Sequence, residues 1–305
     1  MKKILIAFAI IALSLTSCNL DEQPQATADK EIIFGSEAGL EAYAYSFYAV
    51  FPSAGNSSNP STMDAMCDYG CVNGINKFIR DGGYNSSTET NWSWGRLRNI
   101  NYFIDNCINP KVSQTIRDNY IGIARFFRAY FYYDKLTTYG EVPWIDHTLT
   151  VDAEELYASR DSRDVIINHI IEDLDFAYTH ITTTKNDGSM ITKWVPAAFK
   201  SRVCLFEGTY RKYHTELNLA SSANALLEKA VLAAKEVMEK SGHGINTAGT
   251  TPYRDLFKSD NPITKEVMLA VCCSKDLSVL GAQNWWWNSS TFGIRFSPIK
   301  AYVNT

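Results

Sequence analysis

Residues 116–144 read IRDNYIGIARFFRAYFYYDKLTTYGEVPW, and this stretch decides the fold class. Its apolar positions Ile116, Tyr120, Ile123, Phe127, Tyr130 and Phe131 recur at steps of three and four residues, the period of one buried helical face. Gly122, Ala124 and Ala129 are small, so a neighbouring helix can approach closely. Gly140 ends the helix, and Pro143 keeps it from resuming. The spacing predicts one long amphipathic helix packed against partners.

The same period recurs on either side. Ser36 is placed to cap a helix carrying Leu40, Tyr43, Phe47 and Val50 on one face. Leu97, Ile100, Ile104 and Cys107 mark another. Asp161 is expected to cap a helix with Val165, Ile166, Ile170, Leu174 and Tyr178 inward. Pro196 suits the first turn of the next, lined by Phe199, Val203 and Phe206. Leu226, Leu227, Ala230, Val231, Ala234 and Val237 line a further helix, stopped by Ser241 and Gly242. Residues 63–91 have no sustained period and many Gly, Asn and Ser residues. They read as a long loop-rich excursion, which is uncommon without a functional reason. The fold class is therefore all-α (mainly), with loop-rich excursions.

The first residues address a compartment. Lys2 and Lys3 precede an apolar run over residues 4–15, too short to span a bilayer, which needs roughly 20 apolar residues. Leu15, Thr16, Ser17 and Cys18 then look like a lipobox, which implies cleavage before Cys18 and lipidation of its sulfur. Asp21 and Glu22 follow at once, and residues 24–30 read as a polar tether. Removing Lys2 and Lys3 takes the formal charge from −4 to −6. That balance disfavours nucleic acid as a partner, because phosphate binding needs a basic patch.

The chain is 46% hydrophobic and 13% aromatic, ample for a core. Of its seven cysteines, Cys107 and Cys204 sit on apolar helical faces and read as buried thiols. Cys67 and Cys71 lack the second pair or histidine cluster a zinc site would need, and no metal is expected. Cys272 and Cys273 are adjacent; a vicinal disulfide is possible but strained.

No strong catalytic motif is present: neither G-x-S-x-G, H-E-x-x-H nor a Walker loop. The acids Asp152, Glu154 and Glu155, and Glu172, Asp173 and Asp175, read as solvated helix faces rather than a glycosidase pair. His147 and His169 read as surface or packing residues. Arg125 and Arg128 read as helix-pairing residues, and Trp94 and Arg98 as structural. Trp285, Trp286 and Trp287 lie between Asn284 and Asn288. Three consecutive indoles cannot share one face of a helix or strand, so at least one suits an exposed sugar platform. The excursion adds Asp64, Tyr69, Arg80, Tyr84 and Trp92. The two regions are expected to meet on one surface.

ARFFRAYFYYDKLTTYGEVPW, from Ala124 to Trp144, resembles the arginine–aromatic helix and Gly-x-Val-Pro corner of the SusD/RagB family. Further matches follow in family order: Leu97-Arg98-Asn99-Ile100-Asn101, the Asp173-Leu174 helix, Ile191-Thr192-Lys193, Tyr253-x-x-Leu256-Phe257 with Glu266, and Phe296-Ser297-Pro298. The resemblance implies tetratricopeptide-like helical pairs; Trp94 and Leu97 alone keep only a fragment of that consensus. It implies a non-catalytic, cofactor-free surface lipoprotein of the outer membrane, anchored through Cys18. The expected ligand is an oligosaccharide or another nutrient, and the expected partner a SusC-like TonB-dependent importer. The implied organisation is a signal peptide at 1–17, a lipidated tether at 18–35, and a helical domain at 36–305. Family members run longer, so the resemblance implies a domain incomplete at its C-terminus or a short divergent member. The rival readings are a helical-repeat scaffold lipoprotein that binds protein, and a surface glycoside hydrolase.

Overall fold

The computed structural model describes residues 30–52, 70–72, 80–85, 87, 92–185, 187–274, 276, 278–279 and 296–303. Two short helices, α1 (Lys30–Phe34) and α2 (Glu37–Ala44), lead into a 3-10 segment at Tyr45–Val50. Then come β1 (Gly70–Val72), α3 (Gly95–Asn106), α4 (Gln114–Tyr139), α5 (Arg163–His180), α6 (Trp194–Tyr213) and α7 (Ala223–Lys240). α8 (Pro252–Lys258), β2 (Phe296–Pro298) and α9 (Lys300–Val303) complete the order. α3 packs on α4, α4 along α5, α5 on α6 and α6 along α7. The expected mainly helical fold of successive pairs is what the chain adopts. No described helix is long and apolar enough to cross a membrane.

Local chemistry sets most boundaries. Ser36 accepts the Gly39 N–H, and Ser113 accepts the Ile116 N–H at the start of α4. Gly140 ends α4 at φ +76° while its N–H donates to Leu136 O, a conformation that suits glycine. The expected cap of α5 is corrected. Ser162, not Asp161, accepts the Val165 N–H. The Asp161 carboxylate instead accepts the Trp144 N–H at 2.7 Å, holding the Pro143 corner.

The core is wider than one face of α4. Tyr120, Gly122, Ala124, Phe126, Phe127, Arg128, Ala129, Phe131, Tyr132, Lys135 and Leu136 are all buried, on several sides of the helix. α2, α3 and α5 surround it, so a single-stripe reading is too narrow. Gly122 permits the approach: a Cβ there would meet Ile181 Cγ1 at 3.2 Å. Two other inward assignments are corrected: Val165, in the first turn of α5, is 38% exposed, and Val231, in the middle of α7, is 66% exposed. The folded body also reaches back to Lys30, into the stretch read as tether. Phe34 is buried, with its ring 5.7 Å from that of Phe103.

Two buried ionic locks join the helices. Arg128 Nε and Arg125 Nε donate to Asp173 at 2.7 and 2.6 Å, tying α4 to α5. Asp173 is 1% exposed, so its reading as a solvated acid is corrected: apolar packing on both sides excludes water and the arginines compensate its charge. Burial pulls the Arg128 pKa down, but the hydrogen bonds and charge of Asp173 outweigh it and raise the value. Glu207 on α6 accepts from Arg163 at 2.7 Å and from Arg211 at 2.7 Å, and Arg211 also reaches Asp164.

Cys107 and Cys204 are free and buried, and burial pushes their thiols up to about 12 and about 11. Cys272 and Cys273 are free and exposed. Cys67 lies outside the described residues.

Candidate ligand groove

The start of α3 and the corner after α4 build one concave surface. Trp94 occupies the N-cap position of α3 without capping it. Its ring meets Phe131 and Tyr132 edge-on at 5.7 and 6.1 Å, which fixes the entry of the chain into α3. Trp92, two residues earlier, is 42% exposed. Its ring stands nearly perpendicular to those of Trp94 (5.1 Å, 72°) and Tyr139 (4.9 Å, 86°), a favourable aromatic geometry.

The facing wall is pinned by hydrogen bonds. Tyr132 Oη accepts the Ile145 N–H at 2.6 Å. Asn101 Nδ2 donates to Ile145 O at 2.9 Å and to His147 O at 3.2 Å. Arg98 Nη1 donates to Leu149 O, and the Thr148 N–H donates to Asp105 at 2.8 Å. Arg128 supports the same corner through Asp146 O at 3.0 Å. The buried lock between α4 and α5 therefore continues into the wall of the groove.

The resulting cavity has a volume of about 450 Å³, within the range of small-molecule sites. Trp92, Trp94, Leu149 and Leu156 supply apolar surface; Arg98, His147, Glu155 and Arg160 supply charge and hydrogen bonds. The Arg160 guanidinium lies 5.3 Å from the centre of the Trp92 ring. His147 Nδ1 is 3.0 Å from Asp146 Oδ1, and its Nε2 is 3.8 Å from Glu155. Burial pushes the Asp146 carboxyl up, but the hydrogen bond from His147 and the charge of Arg128 outweigh it and lower the pKa.

Of the residues singled out in the sequence, Trp92 lines this groove. Tyr84 sits beside it: its hydroxyl donates to Thr138 O at 3.5 Å, next to the Tyr139 that Trp92 packs on. Arg80 is exposed, in the turn where the Gly83 N–H donates to its carbonyl. Asp64, Tyr69, Trp285, Trp286, Trp287 and Cys18 lie outside the described residues. β1 and β2 pair antiparallel, Gly70 opposite Pro298 and Val72 opposite Phe296, so the excursion is joined to the segment that follows the three tryptophans. Trp94 and Arg98, read as structural, also line the groove, as does His147. Arg160 and Leu156 were not anticipated; the repeat of indoles at Trp92 and Trp94, just before a helix start, was the available signal. His169 stacks on Trp144 at 4.5 Å and 15°, a packing role. Among the described residues no group of three His, Cys, Asp or Glu could hold a metal ion.

A family model described as starch-binding and associating with the outer membrane matches residues 57–195, a span that includes the described first wall and the corner of the groove. SusD-like protein P25 of Formosa agariphila is 19% identical over 296 residues, covering 90% of this chain and 52% of that protein. A crystallised SusD-like protein from Bacteroides fragilis superposes with a TM-score of 0.61 at 20% identity, covering 83% of this chain and 47% of that one. A laminarin-binding SusD-like protein superposes with a TM-score of 0.57 at 16% identity, covering 76% and 50%. The chain thus spans about half the length of these relatives.

Proposed function

Because this chain belongs to the SusD/RagB family, we propose that it is a non-catalytic lipoprotein of the outer membrane that captures an oligosaccharide. It hands the sugar to a SusC-like TonB-dependent importer. The observation that carries the reading is Trp92: an exposed indole, held by two perpendicular aromatic rings, in a groove of about 450 Å³ rimmed by hydrogen-bonding groups. An indole presents a flat apolar face to the axial C–H bonds of a pyranose while neighbouring polar groups meet its hydroxyls. Because Trp92 is already braced, little side-chain entropy is lost on binding. The relative whose name states laminarin supports a glucan as first ligand to try. Asp64, Tyr69, Trp285, Trp286 and Trp287 belong to the same proposal as a second wall, and Tyr84 and Arg80 as its edge.

The test is calorimetric titration with laminarin and starch oligosaccharides. Trp92→Ala should weaken binding about tenfold or more, the equivalent of roughly 1.4 kcal/mol, with an unchanged circular dichroism spectrum. Replacing Trp285, Trp286 and Trp287 together by Ala examines the second wall in the same titration. Full binding by the Trp92 variant removes the groove from the site. A glycan cleaved during the titration would favour the hydrolase reading instead.

A further inference from the structure

The charged groups around Trp92 point to a class of ligand, and this inference rests on the glycan-binding reading. Arg160 holds its guanidinium 5.3 Å from the centre of the Trp92 ring, and both residues line the groove. Among the described residues no carboxylate pairs with Arg160. The other charges of the groove are engaged: Arg98 donates to Leu149 O, and Glu155 faces His147, which also meets Asp146. Arg160 is therefore the cation in this groove whose partner is an aromatic ring rather than an acid or a carbonyl.

We propose that Arg160 makes the groove selective for acidic oligosaccharides, those bearing uronic acid carboxylates or sulfate esters. A neutral pyranose that stacks on Trp92 must push the guanidinium off the ring and gives no charge in return. An acidic sugar also displaces it, but then accepts its forked N–H groups through a carboxylate or sulfate. Charge-assisted hydrogen bonds to a planar guanidinium are stronger than neutral ones and specific in geometry. Arg160 thus penalises one class and rewards the other. It acts without any bond being made or broken, as a gate whose opening the ligand's own charge favours.

The experiment titrates the protein with trigalacturonate and with laminaritriose, matched in length. The wild type should prefer trigalacturonate by about tenfold, the low end of what a hydrogen bond to a charged group contributes, and this preference should shrink as salt rises. Arg160→Gln should lose that preference, its affinity for trigalacturonate falling by far more than its affinity for laminaritriose. Arg160→Lys, which keeps the charge but not the fork, should fall between. Equal or better binding of laminaritriose by the wild type, or an equal loss of both sugars in Arg160→Gln, overturns the selectivity and leaves glycan capture standing. Binding of neither sugar counts against both readings. Arg160 is exposed, so melting of the variant should match the wild type; the wild-type salt dependence gives a readout that needs no variant.

Discussion

Asp173 shows how a single residue couples fold to site. It is buried between Arg125 and Arg128, and Arg128 also holds the corner that walls the groove. Asp173→Ala should cost about 3–5 kcal/mol in urea denaturation, because two guanidinium groups lose their counter-charge inside the protein. Phe127, fully buried, should cost a similar ~3–5 kcal/mol on replacement by Ala through the cavity left behind. Tyr48 adds a pH dependence. Burial raises its pKa to about 12, although the bond from the Ile191 N–H pulls the other way. An unfolded tyrosine titrates near ~10. Between these values the unfolded chain has lost a proton that the folded chain keeps. The contribution of Tyr48 is therefore full below about pH 10 and is lost as pH rises toward 12. Stability measured through that window should fall, and the slope should be shallower in Tyr48→Phe.

At the scale of elements, two glycines separate two kinds of constraint. A Cβ on Gly208 of α6 would sit 2.8 Å from Leu227 of α7, so Gly208→Ala should cost about 1–3 kcal/mol by overpacking. Gly140 has open space around it but φ of +76°, so Gly140→Ala should cost about 1 kcal/mol through backbone strain alone. Thermal melts of the two variants check both. The helices themselves were legible in the sequence because their signal is local: α3 to α7 each carry a three-and-four-residue apolar step within one or two dozen residues. Where the signal was not local, reading failed. Asp173 finds its arginines across 45 and 48 residues, so nothing beside it in the sequence marks it as buried. Asp161 and Ser162 are both good caps, and only the packed corner at Trp144 decides between them. Trp92 was anticipated from its type, but the groove it lines also needs residues from Pro143 to Arg160, brought opposite it by the turn after α4.

At the scale of the whole molecule, the described helices present an aromatic groove built from a helix start and the corner after a helix end, on a chain that spans about half the length of its relatives. Cys18→Ala should release the protein from the membrane fraction or block its processing, since stable anchoring rests on acyl chains at about 0.8 kcal/mol per buried methylene. Co-purification with an outer-membrane barrel, lost on solubilising the variant, would support the importer partnership. The most direct measurement is a crystal structure of the protein soaked with an oligosaccharide that it binds in titration. A pyranose ring is expected to lie parallel to the Trp92 indole, with its hydroxyls toward the rim formed by Arg98 and His147. Sugar density elsewhere on the molecule, with the Trp92 ring bare, would contradict that placement.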